Sequence, residues 1–340
     1  MTAHEILRFG VIGAGRIGKI HARNLATAVP DTRVVAIADP IYDAACELAE
    51  QLRVPNATAD YREVINNPEV DAVAICSSTD THAQMMIEAA AAGKHIFCEK
   101  PIAYDLARID EALAAVQKAG VLLQIGFNRR FDPNFRKVRE MVAEGKIGDP
   151  HILRITSRDP APPPVSYIKV SGGIFFDMTI HDFDMSRYLM GSDVEEIYAA
   201  GGVLVDPQIG EAGDIDTAVV TLRFKNGAIG TIDNSRKAAY GYDQRVEVFG
   251  SGGMVQAQNN TPDSHVYANA EGVHAAKPLY FFLERYTQSF IDEMKTFSDC
   301  VRAGTTPPVT GIDGRIPVVM AMAATKSLKE GRPVRLSEIG

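Results

Sequence analysis

Leu7-Arg8-Phe9-Gly10-Val11-Ile12-Gly13-Ala14-Gly15-Arg16-Ile17-Gly18 is the stretch that decides the fold. Its first six residues read as an apolar strand, and Gly13–Gly18 then matches GxGxxG where a strand would hand over to a helix. Glycines punctuate many turns, so the string gains meaning only from that position. There Gly13 permits the tight turn, Gly15 lets a pyrophosphate approach the backbone, and Gly18 lets the helix pack close to the sheet. The N–H groups of Arg16 and Ile17 would face phosphates at the helix N-terminus. Asp39 closes the next strand candidate, 21 residues beyond Gly18. A carboxylate there accepts hydrogen bonds from an adenosine ribose and repels a 2′-phosphate, which favours NAD over NADP. The competing reading of Asp39 is a helix cap in a protein that binds no nucleotide. Strand, glycines and acid in one register argue against it.

Outward from this start, short apolar runs alternate with alanine-rich helical segments as far as Gly126, as a parallel sheet with crossover helices requires. The expected strands are Leu7–Ile12, Val34–Ala38, Ala72–Ile75, His95–Phe97 and Leu122–Gly126. The helical segments between them include Tyr42–Leu52, Thr81–Ala92 and Leu106–Ala119, with Gly93 and Gly120 where C-caps belong. After Asn128 the pattern changes. A helix over Phe131–Ala143, one strand and the Pro-rich loop Asp159–Pro164 precede a helix expected from Gly173 or Ile174 to Met190. Strands are expected at Ile197–Val205, Thr217–Phe224, Ala228–Asn234 and Gln244–Phe249, with Lys225-Asn226-Gly227 as a hairpin turn. Helices over Arg285–Ala303 and Arg315–Glu330 end the chain. The expected architecture is a doubly wound α/β Rossmann domain over residues 1–126, followed over 127–340 by an α+β domain with a largely antiparallel open sheet. The second domain would serve substrate binding and oligomerisation, and its C-terminal helix could pack back on the first.

Composition narrows the function. At 46% hydrophobic and 23% charged residues, the 340-residue chain has the make-up of a globular protein. Its apolar runs, such as Val121–Ile125, fit buried strands and not a membrane span. A formal charge of −8 argues against a nucleic-acid surface. Met1–Glu5 shows no basic region leading into an apolar core, so no secretory signal is expected. Cys46, Cys76, Cys98 and Cys300 form no CxxC pair and suggest no zinc spacing. Reduced thiols in a cytoplasmic, metal-independent protein are the plain reading.

Ligands of doubly wound sheets lie outside the carboxyl ends of the strands. Ser77-Ser78-Thr79-Asp80-Thr81-His82 follows the third expected strand and offers polar groups to line a dinucleotide. Helix N-capping explains Thr79 or Thr81 at least as well when each is taken alone. Glu99-Lys100-Pro101 follows the fourth. Lys100 could place its ammonium beside a nicotinamide and donate to a substrate oxygen, or be a surface lysine with a solvated head; position alone leaves the two even. Asp177 and His181 are spaced i, i+4, so one helix would make them neighbours. Histidine takes up a proton near neutral pH, as alcohol oxidation requires. A helix-surface acid–imidazole pair is the plainer alternative, but Phe175, Phe176, Ile180 and Phe183 point to a buried helix, where such a pair needs a reason. No tyrosine is followed by lysine four residues later, which excludes a short-chain dehydrogenase site.

Together these residues resemble the Gfo/Idh/MocA oxidoreductases, and among them the inositol-dehydrogenase branch. The resemblance covers nearly the whole chain. It rests on Gly13–Gly18, Glu99-Lys100-Pro101, Gly126–Asp132, Asp177–Asp182 and Tyr240-Gly241-Tyr242-Asp243. It implies a catalytic triad of Lys100, Asp177 and His181, with Arg129, Tyr242 and, more weakly, Tyr240 lining an inositol pocket. It implies NAD bound by Gly13, Gly15, Arg16, Ile17, Gly18, Asp39, Ser77, Ser78, Thr79, His82 and Glu99. It further implies myo-inositol as substrate and a homo-oligomer, with a tetramer favoured, paired through the open face of the second sheet. A dehydrogenase of another inositol stereoisomer or of a sugar is the runner-up. A nucleotide-sensing protein without chemistry is the third reading.

Overall fold

A computed structural model describes residues 6–340. Met1–Glu5, read above for a secretory signal, lie outside the described residues. The chain divides into two compact units, one running to Phe131 and adding Gln288–Ile316, the other comprising Asp132–Thr287 with Pro317–Gly340. The last division falls at Pro317, inside the helix Gly311–Glu330.

The first unit holds a six-stranded parallel sheet of β1 (Leu7–Ile12), β2 (Thr32–Ala38), β3 (Asn56–Thr58), β4 (Ala72–Ile75), β5 (His95–Glu99) and β6 (Leu123–Gly126). The strand order is β3-β2-β1-β4-β5-β6. Order reverses between β1 and β4, so the carboxyl ends of those two strands form the switch point where such sheets bind ligands. Both faces are covered, which is why every residue of β4 is buried and the strand reads as an unbroken apolar run. Asp60 and Asp105 accept from the N–H groups of Arg62 and Arg108 and so start two crossover helices. Gly120 ends the second of these in the left-handed conformation. Phe9, Phe97 and Phe297 meet in the core, Phe297 coming from the helix Thr287–Ala303 within the same unit. Each such ring contributes roughly 1.5–3 kcal/mol through burial. β3 went unanticipated because its three residues are too short to show periodicity. β5 extends past the expected end at Phe97, which puts Glu99 inside the sheet opposite Gly126.

The second unit carries a seven-stranded sheet of β7 (Pro150–Arg158), β8 (Val194–Gly202), β9 (Thr217–Phe224), β10 (Ile229–Ser235), β11 (Asp243–Gly250), β12 (Gly253–Ala257) and β15 (Val334–Arg335). β13 (Val266–Asn269) and β14 (Gly272–Ala275) form a separate hairpin. Within the large sheet β10 and β7 pair in parallel, and the other neighbours are antiparallel. Lys225-Asn226-Gly227 turns β9 into β10, with Gly227 at φ 89°. β9 alternates buried and exposed residues. The helices Pro133–Ala143 and Thr179–Met190 pack against the sheet, and Tyr198, Val219, Ile229 and Phe249 stand exposed along its strands. Among the described residues no helix is long and apolar enough to cross a membrane.

One expectation is corrected. The helix read as continuous from Gly173 or Ile174 to Met190 is two helices, Ile174–Asp177 and Thr179–Met190, joined at Met178 (φ −100°, ψ −60°). Thr179 is the cause on the sequence side. Its hydroxyl bonds back to the Ile174 carbonyl at 3.3 Å and to Asn234 of β10 at 2.6 Å, the local bonding with which threonine competes against helix. Asp177 therefore ends one helix and His181 sits in the first turn of the next, so the i, i+4 argument for their pairing does not hold as stated.

Candidate active site

In the first unit the turn after β1 has the shape its glycines imply. Gly13 stands at φ 105°, and a Cβ there would lie 2.6 Å from the Cys76 carbonyl oxygen. A Cβ on Gly18 would lie 1.8 Å from the Gly13 carbonyl oxygen, so helix and strand approach as closely as backbone allows. A Cβ on Gly15 would meet nothing within 4 Å. That open space lies at the N-terminus of the helix Arg16–Thr27, with Arg16 exposed and Ile17 half-buried, where the helix dipole attracts phosphate. The turn thus fits a dinucleotide. Asp39 follows β2, and its Oδ2 accepts from the Ala14 N–H at 2.7 Å while Oδ1 accepts from the Ile41 N–H at 2.9 Å. These bonds tie the acid to the glycine turn and leave further lone pairs for a ribose.

Ser78 is the N-cap of the helix Thr79–Ala91, without a side-chain capping bond. The Ser77 and Thr81 hydroxyls lie 2.7 Å apart. His82 is buried. Its Nδ1 lies 2.9 Å from the Pro101 carbonyl oxygen and its Nε2 3.1 Å from that of Ser77, so it braces the two loops at the carboxyl ends of β4 and β5. Burial pushes this imidazole below its ordinary pKa. Glu99 faces inward: its Oε1 lies 2.7 Å from Nε2 of the buried His21. Its Oε2 accepts weakly from the Lys100 N–H at 3.3 Å, and a Cβ on Gly126 would come within 2.9 Å of that oxygen. Lys100 itself is half-buried at the end of β5. Arg129 is buried in the short 3-10 turn Asn128–Phe131, and its neighbour Arg130 is tied to Asp313 at 2.9 Å.

His21 and Glu293 escaped sequence reasoning. The signal for Glu293 was present, because it shares the buried stripe of the helix Thr287–Ala303 with Phe290 and Phe297. Its carboxyl is fully buried; burial first, then the Glu99 charge, pushes its pKa well above the carboxylate range. Among the described residues, Glu99 acts on it and the buried Cys76 thiol feels its charge. A raised acid stabilises the fold below its unfolded pKa, and that stability is lost as pH rises through the folded value. The wild-type Tm should therefore fall toward alkaline pH, and Glu293→Gln should flatten the dependence. Equal slopes in a thermal-shift series would remove Glu293 as its source.

In the second unit Asp177 and His181 lie half-buried on either side of Met178. The Tyr167 hydroxyl donates to Asp177 Oδ1 at 2.8 Å, and Arg236 Nη1 donates to Oδ2 at 3.0 Å. Asp182, fully buried, accepts from the Asn234 side chain at 2.8 Å and fixes this helix to β10. Tyr242 is buried, with its ring edge-on to Tyr286. Tyr240 is exposed; its hydroxyl donates to Asp243 at 2.5 Å and accepts from Arg158 at 3.0 Å. That hydroxyl is committed to a charged network. Tyr167, Asp214 and Arg236 were not foreseen, since a one-turn helix, a loop and a strand end carry no periodic signal. Asp177 thus offers a fixed acceptor and His181 a proton carrier, while Lys100 offers a cation on the unit with the nucleotide turn.

Residues 7–127 match the family model described as an oxidoreductase family with NAD-binding Rossmann fold, and residues 135–256 match the GFO/IDH/MocA C-terminal domain. The chain is 55% identical to a protein of Thermotoga maritima named myo-inositol 2-dehydrogenase, over 98% of this chain and 99% of that one. It is 45% identical to an inositol 2-dehydrogenase of Rhizobium meliloti, over 97% and 99% of the two chains. A scyllo-inositol 2-dehydrogenase (NAD(+)) of Bacillus subtilis is 38% identical over 98% and 97%. The crystal structure of a probable dehydrogenase from Thermotoga maritima superposes with a TM-score of 0.97 at 55% identity, covering 98% of this chain and all (100%) of that one.

Proposed function

This chain belongs to the Gfo/Idh/MocA oxidoreductases, and we propose that it oxidises myo-inositol at one ring hydroxyl to 2-keto-myo-inositol (scyllo-inosose). The turn after β1 would hold NAD+, which when bound would supply the hydride acceptor. His181 takes the hydroxyl proton as general base. The Lys100 ammonium hydrogen-bonds the substrate oxygen as negative charge develops on it. Asp177 accepts from a neighbouring ring hydroxyl, and its fixed geometry makes the choice of hydroxyl stereospecific. Arg129 and Tyr242 line the pocket. Ser77, Ser78, Thr79 and Glu99 border the cofactor, with His82 acting through the carbonyls it braces. No metal is needed, because Lys100 supplies the countercharge.

The observation that carries this reading is the double anchoring of Asp177 on Arg236 and Tyr167 in a chain that also holds the nucleotide turn. A sensor of NAD would have no use for so fixed an acceptor. The likeness to the Thermotoga maritima relative supports the myo isomer, and the Bacillus subtilis relative makes scyllo-inositol the principal competitor. The protein acts in polyol catabolism as a cytoplasmic homotetramer, paired through the sheet face that exposes Tyr198, Val219, Ile229 and Phe249.

NADH formation across myo-inositol, scyllo-inositol, other inositols and aldoses, each with NAD+ and NADP+, tests the proposal. The expected result is the highest kcat/KM for myo-inositol with NAD+. A higher value for scyllo-inositol or an aldose overturns the substrate, and a preference for NADP+ overturns the role of Asp39.

A further inference from the structure

Arg236 is an unusual investment of charge. It is 0% exposed at the end of β10, and a buried guanidinium is costly unless fully partnered. Burial disfavours its charge, but the carboxylates of Asp177 and Asp214 outweigh that and hold its pKa above the ordinary value. The partners form one connected device within the second unit. Arg236 Nη1 donates to Asp177 Oδ2 at 3.0 Å, and Nη2 donates to Asp214 Oδ2 at 3.3 Å. Asp214 Oδ1 in turn accepts from the Ile174 N–H at 3.0 Å, and Ile174 is the first residue of the four-residue helix that ends on Asp177. A single arginine therefore grips the carboxylate directly and, through Asp214, the start of the helix that carries it.

The device is itself anchored. The Arg236 N–H donates to the Asp216 carbonyl oxygen at 2.9 Å. The Asp216 carboxylate accepts from the N–H groups of Leu204, Val205 and Asp206 at 2.8, 2.8 and 3.0 Å. A helix of one turn ending at Asp177 has little rigidity of its own, so its last side chain needs such external support. An ionised carboxylate has about four acceptor sites. Tyr167 and Arg236 each occupy one, on different oxygens, and together they fix the plane of the carboxylate.

We propose that Arg236 and Asp214 are positioning residues of the oxidation, setting the orientation of Asp177 and through it which polyol hydroxyl is gripped. The inference rests on the role given to Asp177 above. A planar fork reaching two carboxylates is a task for arginine that lysine performs only in part.

Arg236→Met, Arg236→Lys, Asp214→Asn and Asp177→Asn are compared by kcat, KM for myo-inositol, Kd for NADH and Tm. Displacing a gripping group by about 1 Å costs ~10²-fold in rate. Arg236→Met should lose on the order of that factor in kcat/KM with NADH binding unchanged, since the nucleotide turn lies in the other unit. Arg236→Lys should recover part of the loss. Asp214→Asn, which keeps size and an acceptor for the Ile174 N–H, should also lose kcat/KM with little change in Tm, and it serves as the test if Arg236→Met does not fold. Wild-type kcat/KM in Asp214→Asn or Arg236→Met, with Asp177→Asn impaired, overturns the inference alone. Wild-type kcat/KM in Asp177→Asn overturns the role of Asp177 and the inference with it. NADH affinity falling in step with kcat/KM would show a merely structural role and overturn it too.

Discussion

Lys100→Ala and His181→Ala should each lose ~10²–10⁴-fold in kcat for polyol oxidation, the usual contribution of a positioned proton-transfer or charge-stabilising group. Both variants should bind NADH as the wild type does. The reason lies in where each side chain stands. Lys100 follows the last residue of β5, whose backbone is fixed by pairing with β6 and whose loop is braced by His82. Truncating the lysine removes an ammonium and leaves that frame in place. His181 stands in the first turn of a helix held to β10 through Asp182 and Asn234, so its loss leaves the helix anchored. Single-turnover hydride transfer and NADH titration separate the outcomes. Retained turnover removes either residue from the mechanism, and a parallel loss of NADH affinity makes its role structural.

Gly13→Ala should be the most damaging single change to the cofactor half. The residue stands at φ 105°, and the new methyl would lie 2.6 Å from the Cys76 carbonyl oxygen and 2.9 Å from the Ser77 nitrogen. Backbone strain of about 1–3 kcal/mol and a similar overpacking cost together give roughly 2–6 kcal/mol. Because the obstacle is backbone of the loop after β4, relief requires moving that loop. Gly15→Ala is the contrasting control. Its φ is −72° and its Cβ meets nothing within 4 Å, so stability should be unchanged while NADH affinity falls, the methyl standing where the pyrophosphate approaches. Denaturant unfolding and NADH titration read both effects. A Gly13→Ala protein as stable as the wild type would contradict this account of the turn.

How legible each part was follows from how local its cause is. The turn after β1, Asp39 and the parallel strands were readable because strand periodicity, the glycines and the ending acid lie close together along the chain. The Gly227 hairpin was readable for the same reason. The break at Met178 was not, since it depends on Thr179 bonding to Asn234, which lies on β10 far along the chain. Nor were the supports of Asp177, because Tyr167, Asp214 and Arg236 come from three separated segments that only the folded sheet gathers. His21 carried too weak a signal: a histidine in a helix reads as ordinary until Glu99 is found 2.7 Å away. Residue type and position along β5 marked Lys100 as a candidate, but could not separate a site lysine from a solvated one. Only the resemblance marks Tyr240 as a pocket residue; the bonds of its hydroxyl to Asp243 and Arg158 depend on β7 and β11 lying side by side.

The central claim, direct hydride transfer from a ring carbon of myo-inositol to NAD+, is tested most directly with substrate carrying deuterium at C2. Mass spectrometry of the reduced cofactor should show the deuterium in the NADH at nicotinamide C4, in one stereochemical position, with the ketone at C2 of the product. Deuterium released to solvent, retained in the cyclitol, or absent from the NADH because oxidation occurs at another carbon would contradict it.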